Sequence, residues 1–124
     1  MSLSSAVLAE FGQSLGIPGL QWPQSNVLAL DFDILGTLFL ENCDDDLLVY
    51  LVRPIAQSDQ TAAVLKAALQ HCHYRQGLPY AVQPGLRGDT GLVFLVRLPA
   101  RDVTLPELER VMNTLTTLHA TVQA

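Results

Sequence analysis

An α+β fold in the order α-β-β-β-α-β-β-α, an antiparallel twisted sheet with helices packed on it, is what these 124 residues predict. Three observations carry that expectation. Between positions 27 and 53, three short apolar runs are separated by turns rich in Gly, Asn and Asp, the mark of consecutive strands in hairpins. Stretches with apolar residues at helical spacing stand before, between and after the strand runs. The strands do not alternate: odd and even positions are both apolar, so both faces of the sheet need cover.

Residues 3–15 read as an amphipathic helix, with Leu3, Val7, Leu8, Phe11 and Leu15 on one stripe and Ser2 or Ser4 as its cap. Gly16 and Pro18 stop it, and residues 17–26 form an extended connector carrying Trp22. The strand runs Val27 to Leu30, Thr37 to Leu40 and Leu47 to Val52 follow, and Pro54, lacking an N–H, ends the ladder. Ser58 or Asp59 caps a second helix over about 60–74, rich in alanine, with Leu65, Leu69 and Cys72 as its apolar stripe. Gly77 and Pro79 break it. A short strand over residues 80–83 precedes a turn-rich loop from Gly85 to Gly91, and Leu92 to Leu98 is another strand apolar on both faces. The last helix has the clearest local signal: Thr104-Leu105-Pro106-Glu107 is a capping box, Val103 and Leu108 a hydrophobic staple, and Leu108, Val111, Met112, Leu115, Leu118 and Val122 the buried stripe.

Composition bounds the function. The length suits one domain, residues 1–124. Apolar residues make up 49% of the chain and charged ones 15%, an unusual balance that points to an oligomer or a surface reserved for a partner. The net charge is −5 and Lys66 is the lone lysine, so there is no basic patch to neutralise phosphates, which argues against nucleic acid. Two cysteines, Cys43 and Cys72, make no disulfide framework and fit a reducing cytoplasm. Met1 to Ser5 has no signal-peptide pattern, and no apolar run approaches the ~20 residues of a membrane helix, so no membrane insertion is expected.

Motifs with chemistry are few. The run from Leu28 to Leu38, with Asp31 and Asp33, looks at first like the aspartyl-phosphate loop of haloacid-dehalogenase-type phosphatases, in which an apolar strand delivers a nucleophilic carboxylate and a second one two residues on. Ile34-Leu35 intervenes where that family passes directly to Gly-Thr, which displaces the threonine, so a plain turn is the better reading. His71-Cys72-His73 offers soft ligands, but neighbours on a helix point about 100° apart and share no metal. Asp44-Asp45-Asp46 reads as a solvated turn. No catalytic residue, metal or cofactor is expected, and the chain is not read as an enzyme.

Too little helix for so much apolar strand leaves a sheet face, on the order of several hundred Å², for another chain to cover. An extended polypeptide adding to a sheet edge fits that need, with residues 60–74 and 80–83 as the candidates for self-association. A resemblance sharpens this reading. Phe11-Gly12-Gln13-Ser14-Leu15-Gly16-Ile17-Pro18-Gly19-Leu20, a strand ending in Asp, and the Gly36-Thr37-Leu38-Phe39-Leu40-Glu41 strand together resemble class I type III secretion chaperones, the Tir-chaperone family. The C-terminal third, from Leu92 through Leu108, is most similar to the SycN-type members.

The resemblance implies a small acidic dimer of the bacterial cytoplasm. Such a protein binds the N-terminal segment of a secreted effector or gatekeeper and keeps it extended and export-competent without ATP. It places client contacts at Leu20, Trp22, Leu28, Leu30, Leu38 and Leu40, and the dimer interface at Leu65, Leu69, Cys72, His73, Tyr80 and Val82. Prolines on both sides of Tyr80-Ala81-Val82-Gln83 depart from the small-residue strand of many homodimeric members, and SycN-type members imply a heterodimer with another small chaperone. A regulatory subunit that only sequesters such a chaperone is the further alternative.

Overall fold

A computed structural model of the chain describes residues 3–123. The first helix, α1, runs Ser5–Ser14, and Ser4 caps it by accepting the Ala6 N–H at 3.2 Å. Ser2, the other candidate cap, lies outside the described residues. After α1 the chain doubles back tightly: the Ile17 N–H donates to the Gly12 carbonyl at 2.7 Å. A Cβ at Gly12 would collide with that Ile17 carbonyl group and with Leu20, so glycine permits the close approach.

Five strands follow the predicted order: β1 (Val27–Phe32), β2 (Gly36–Cys43), β3 (Asp46–Pro54), β4 (Val82–Arg87) and β5 (Gly91–Pro99). They form one antiparallel sheet ordered β1-β2-β3-β5-β4, so β1 and β4 are its edges. At the β1–β2 hairpin Gly36 holds φ +105°, and a side chain there would run into the Val52 carbonyl. The β1 and β2 strands are longer than their apolar cores because Asp31, Phe32, Glu41 and Asn42 continue the pairing.

The fourth strand differs from its expectation. It begins at Val82, leaving Tyr80 and Ala81 ahead of it, and runs through Pro84-Gly85 to Arg87. An edge strand tolerates proline because one side of its backbone needs no ladder partner. The turn therefore shrinks to 88–90. The second helix, α2 (Thr61–His71), is shorter than the predicted 60–74. A 3-10 turn leads into it, its cap position is Gln60 without a side-chain bond, and a second 3-10 turn, Tyr74–Gln76, follows. The last helix, α3 (Leu105–Val122), starts as predicted, with the Thr104 hydroxyl accepting the Glu107 N–H at 3.4 Å and both staple residues buried.

Strand register sorts the sheet into two faces. Leu30, Leu38, Leu40, Leu47, Val49, Leu51, Leu92, Phe94, Val96, Leu98 and Val82 share one face and are all buried, in a single core with Leu8 and Phe11 of α1 and Leu108, Val111, Leu115 and Leu118 of α3. α3 packs on β3 and β5, with α1 and α2 on either side of it. Among the described residues one polar side chain is buried with them. His119 lies fully inside, its Nε2 2.8 Å from the Leu51 carbonyl and its ring edge-on to Phe94 at 4.8 Å.

Candidate binding site

The opposite sheet face carries no helix. Three rows of side chains cross it, each defined by register: Ala29, Phe39, Tyr50 and Leu95 in the middle; Thr37, Val52 and Val93 on one side; Val27, Glu41, Leu48 and Arg97 on the other. None of these residues is buried, whereas Leu30, Leu38, Leu40, Val49, Leu51, Phe94 and Val96, one position away on the same strands, are. At the centre the Phe39 and Tyr50 rings stack, 4.9 Å apart and 10° from parallel. The Tyr50 hydroxyl donates to Glu41 Oε1 at 3.0 Å. Burial, followed by that bond to Glu41, pushes the phenol's pKa above its ordinary value, so it stays a donor. The Arg87 guanidinium reaches in from β4 and lies 4.5 Å from the Phe39 ring centre. Glycine at position 91 leaves that path open.

Strand parity corrects the expected client contacts. Leu30, Leu38 and Leu40 point to the helices, at 8%, 0% and 0% exposure; they are core residues with no surface to offer. Their neighbours Ala29, Phe39 and Glu41 take the bare face. The signal was present in the polar residues: Asp31, Thr37, Glu41 and Arg97 share parity with Phe39, Leu48, Tyr50 and Leu95 and mark the outward side. Leu20, Trp22 and Leu28 lie elsewhere, half-buried against the core around the connector and β1, and the Trp22 indole N–H is buried without a partner.

The expected interface residues group around the C-terminal end of α2 and the start of β4. Leu69 is 56% exposed, His73 is exposed, and Leu65, Cys72 and Tyr80 are half-buried. Val82 turns into the core at 7% exposure and serves as the floor of a cleft of about 280 Å³ whose walls include Cys72, His73, Leu78 and Tyr80. Burial raises the Cys72 thiol to about 11, which leaves it a neutral apolar group. His73 is committed locally: its Nδ1 accepts the Arg75 N–H at 3.2 Å. Among the described residues no three His, Cys, Asp or Glu side chains come together as metal ligands would.

The aspartates of the β1–β2 hairpin are arranged as a turn. Asp31 Oδ1 accepts the Thr37 hydroxyl at 2.9 Å, which ties the two strands together. In the next hairpin, Asp46 pairs with Arg97 at 3.0 Å and Asp44 holds φ +55°.

Solved structures share this architecture. A chain of the HopA1-SchA chaperone–effector complex matches with a TM-score of 0.69 at 19% identity, over 96% of this chain and 92% of that one. A chain of the ExoU-SpcU complex from the type III secretion system of Pseudomonas aeruginosa matches with a TM-score of 0.68 at 20% identity, over 97% and 94%. The fold is thus one that chains of these complexes share. The chain itself belongs to the type III secretory system chaperone SycN family, whose model matches residues 4–123. It is 32% identical to the chaperone protein SycN of Yersinia enterocolitica, over 100% of this chain and 99% of that protein.

Proposed function

We propose that the protein receives an extended N-terminal segment of a secreted effector or gatekeeper on its bare sheet face and keeps that segment export-competent without catalysis or ATP. The observation that carries this reading is the continuous apolar surface formed by Phe39, Leu48, Tyr50, Val52, Val93 and Leu95, left uncovered in a family of secretion chaperones. Such a surface is stabilised by a partner rather than by water. The β1 edge, free of proline along Val27–Phe32, offers backbone groups for an added strand, and Leu20, Trp22 and Leu28 are available around it. The chaperone–effector complex among the matching structures supports a client of that kind.

The protein works as a dimer in the bacterial cytoplasm, through α2 and the cleft at the start of β4. Leu65, Leu69, Cys72, His73 and Tyr80 face the partner, with Val82 beneath them. Pro84 interrupts the outer backbone of β4, which supports a dimer held by side chains and leaves a second small chaperone as an alternative to another copy.

Co-expression with N-terminal segments of proteins secreted by the same system tests the reading. A bound segment should resist protease, and Phe39→Asp should release it while the chain stays folded. A stable complex with another chaperone that engages no secreted segment would instead make the protein a sequestering subunit.

A further inference from the structure

We infer that Arg87 is a specificity residue of the bare face: it selects client segments that carry a carboxylate beside an apolar side chain, with the apolar group taking the guanidinium's place over Phe39 and the carboxylate receiving the displaced cation. The inference rests on the client reading above and adds a charge rule to it.

Asp46 is neutralised by Arg97 at 3.0 Å. Glu41 accepts the Tyr50 hydroxyl and Asp31 the Thr37 hydroxyl. Those two hydroxyls are neutral, and of the two cations on the face, Arg97 has a carboxylate partner while Arg87, among the described residues, makes no ion pair and rests its guanidinium on the Phe39 ring. A cation over a ring at an exposed site is held weakly, by about 0.5–1 kcal/mol. The arrangement is therefore a placeholder that an apolar side chain displaces.

The space into which Arg87 moves is a cleft of about 490 Å³ at the same end of the sheet, bordered by Arg87 and Gly91 on one wall and by Asp31 and Asp33 on the other. The aspartates repel a second carboxylate from the β1 side. The favoured position for an incoming anion is the Arg87 wall, near β4. In a chain of net charge −5, this local cation is what makes an acidic residue in the client tolerable at that point.

Two short synthetic peptides test this on the whole protein: leucine and serine alternating around one phenylalanine with a neighbouring aspartate, and a twin with asparagine in its place. Affinity is read by titration and location by the ring resonances of Phe39 and Tyr50. The aspartate peptide should bind about fivefold more tightly than its twin and lose that advantage at high salt. Arg87→Ala should abolish the preference and leave the twin's affinity equal or improved, and Arg87→Glu should reverse it. Arg87 is exposed on an edge strand, so both variants should fold. Equal affinity for the two peptides with both rings shifted, or a preference that survives Arg87→Ala, overturns the role of Arg87 and leaves the docking face standing. Unmoved Phe39 and Tyr50 resonances overturn both.

Discussion

At His119 the core encloses an imidazole with one hydrogen bond. The Leu51 carbonyl at 2.8 Å can only accept, so Nε2 carries the proton, and Nδ1 is left buried without a partner. Burial is the main cause of the drop in its pKa to about 4; the Leu51 bond opposes the shift and Arg53 adds to it. The ordinary value is 6.5, so the unfolded chain binds a proton that the folded chain refuses. Stability is therefore complete above about pH 6.5 and falls as the pH drops from there towards 4, by a total of about 3 kcal/mol. Urea unfolding between pH 7 and pH 5 should show the decline, and His119→Leu should flatten it. A second residue with a defined cost is Gly36. Its positive φ and the Val52 carbonyl facing it leave no room for a side chain. Gly36→Ala should lower stability by about 1–3 kcal/mol, read as a fall in the thermal midpoint.

Within β2, adjacent positions have opposite fates. Leu38 is fully buried in the core on the helix side of the sheet, and Phe39 lies on the bare face. Leu38→Asp puts a carboxylate where no partner exists, at a cost on the order of several kcal/mol, and should yield insoluble chain. Phe39→Asp should keep the circular dichroism spectrum and a thermal midpoint within a few degrees, because Phe39 is only half-buried on a face that no helix covers. Equal damage from the two would mean that both faces are packed. This pair also explains what was legible. Element type and order could be read, because apolar runs, Gly and Asp turns and the Thr104 capping box are local signals. The side of the sheet could not be read from apolar residues, since Leu38, Phe39 and Leu40 are all apolar; the polar positions Thr37 and Glu41 held that information. Likewise Pro84-Gly85 has the local chemistry of a turn, and only its place at the sheet edge makes it a strand. The missing side-chain cap on α2 was overridden by a 3-10 entry.

On the scale of the whole molecule, the three helices share one side of the sheet, and the bare face and the end of α2 present apolar side chains among the described residues. In the proposed function they take different partners. The bare face is broad and flat and crosses four strands, a shape that suits an extended chain. The α2 end is convex at Leu69 and concave at the cleft above Val82, a pairing that suits a second folded protein with the same two features. The two surfaces can then be occupied at once. Leu69→Asp should dissociate the dimer without emptying the client face. Light scattering at rising concentration should give twice the chain mass for the unaltered protein and the single mass for the variant, while Phe39→Asp leaves the dimer mass in place. If instead the unaltered chain is a monomer alone and doubles in mass only when mixed with another small chaperone, the α2 surface is heterodimeric. If Leu69→Asp has no effect on either assembly, the interface lies elsewhere on the molecule.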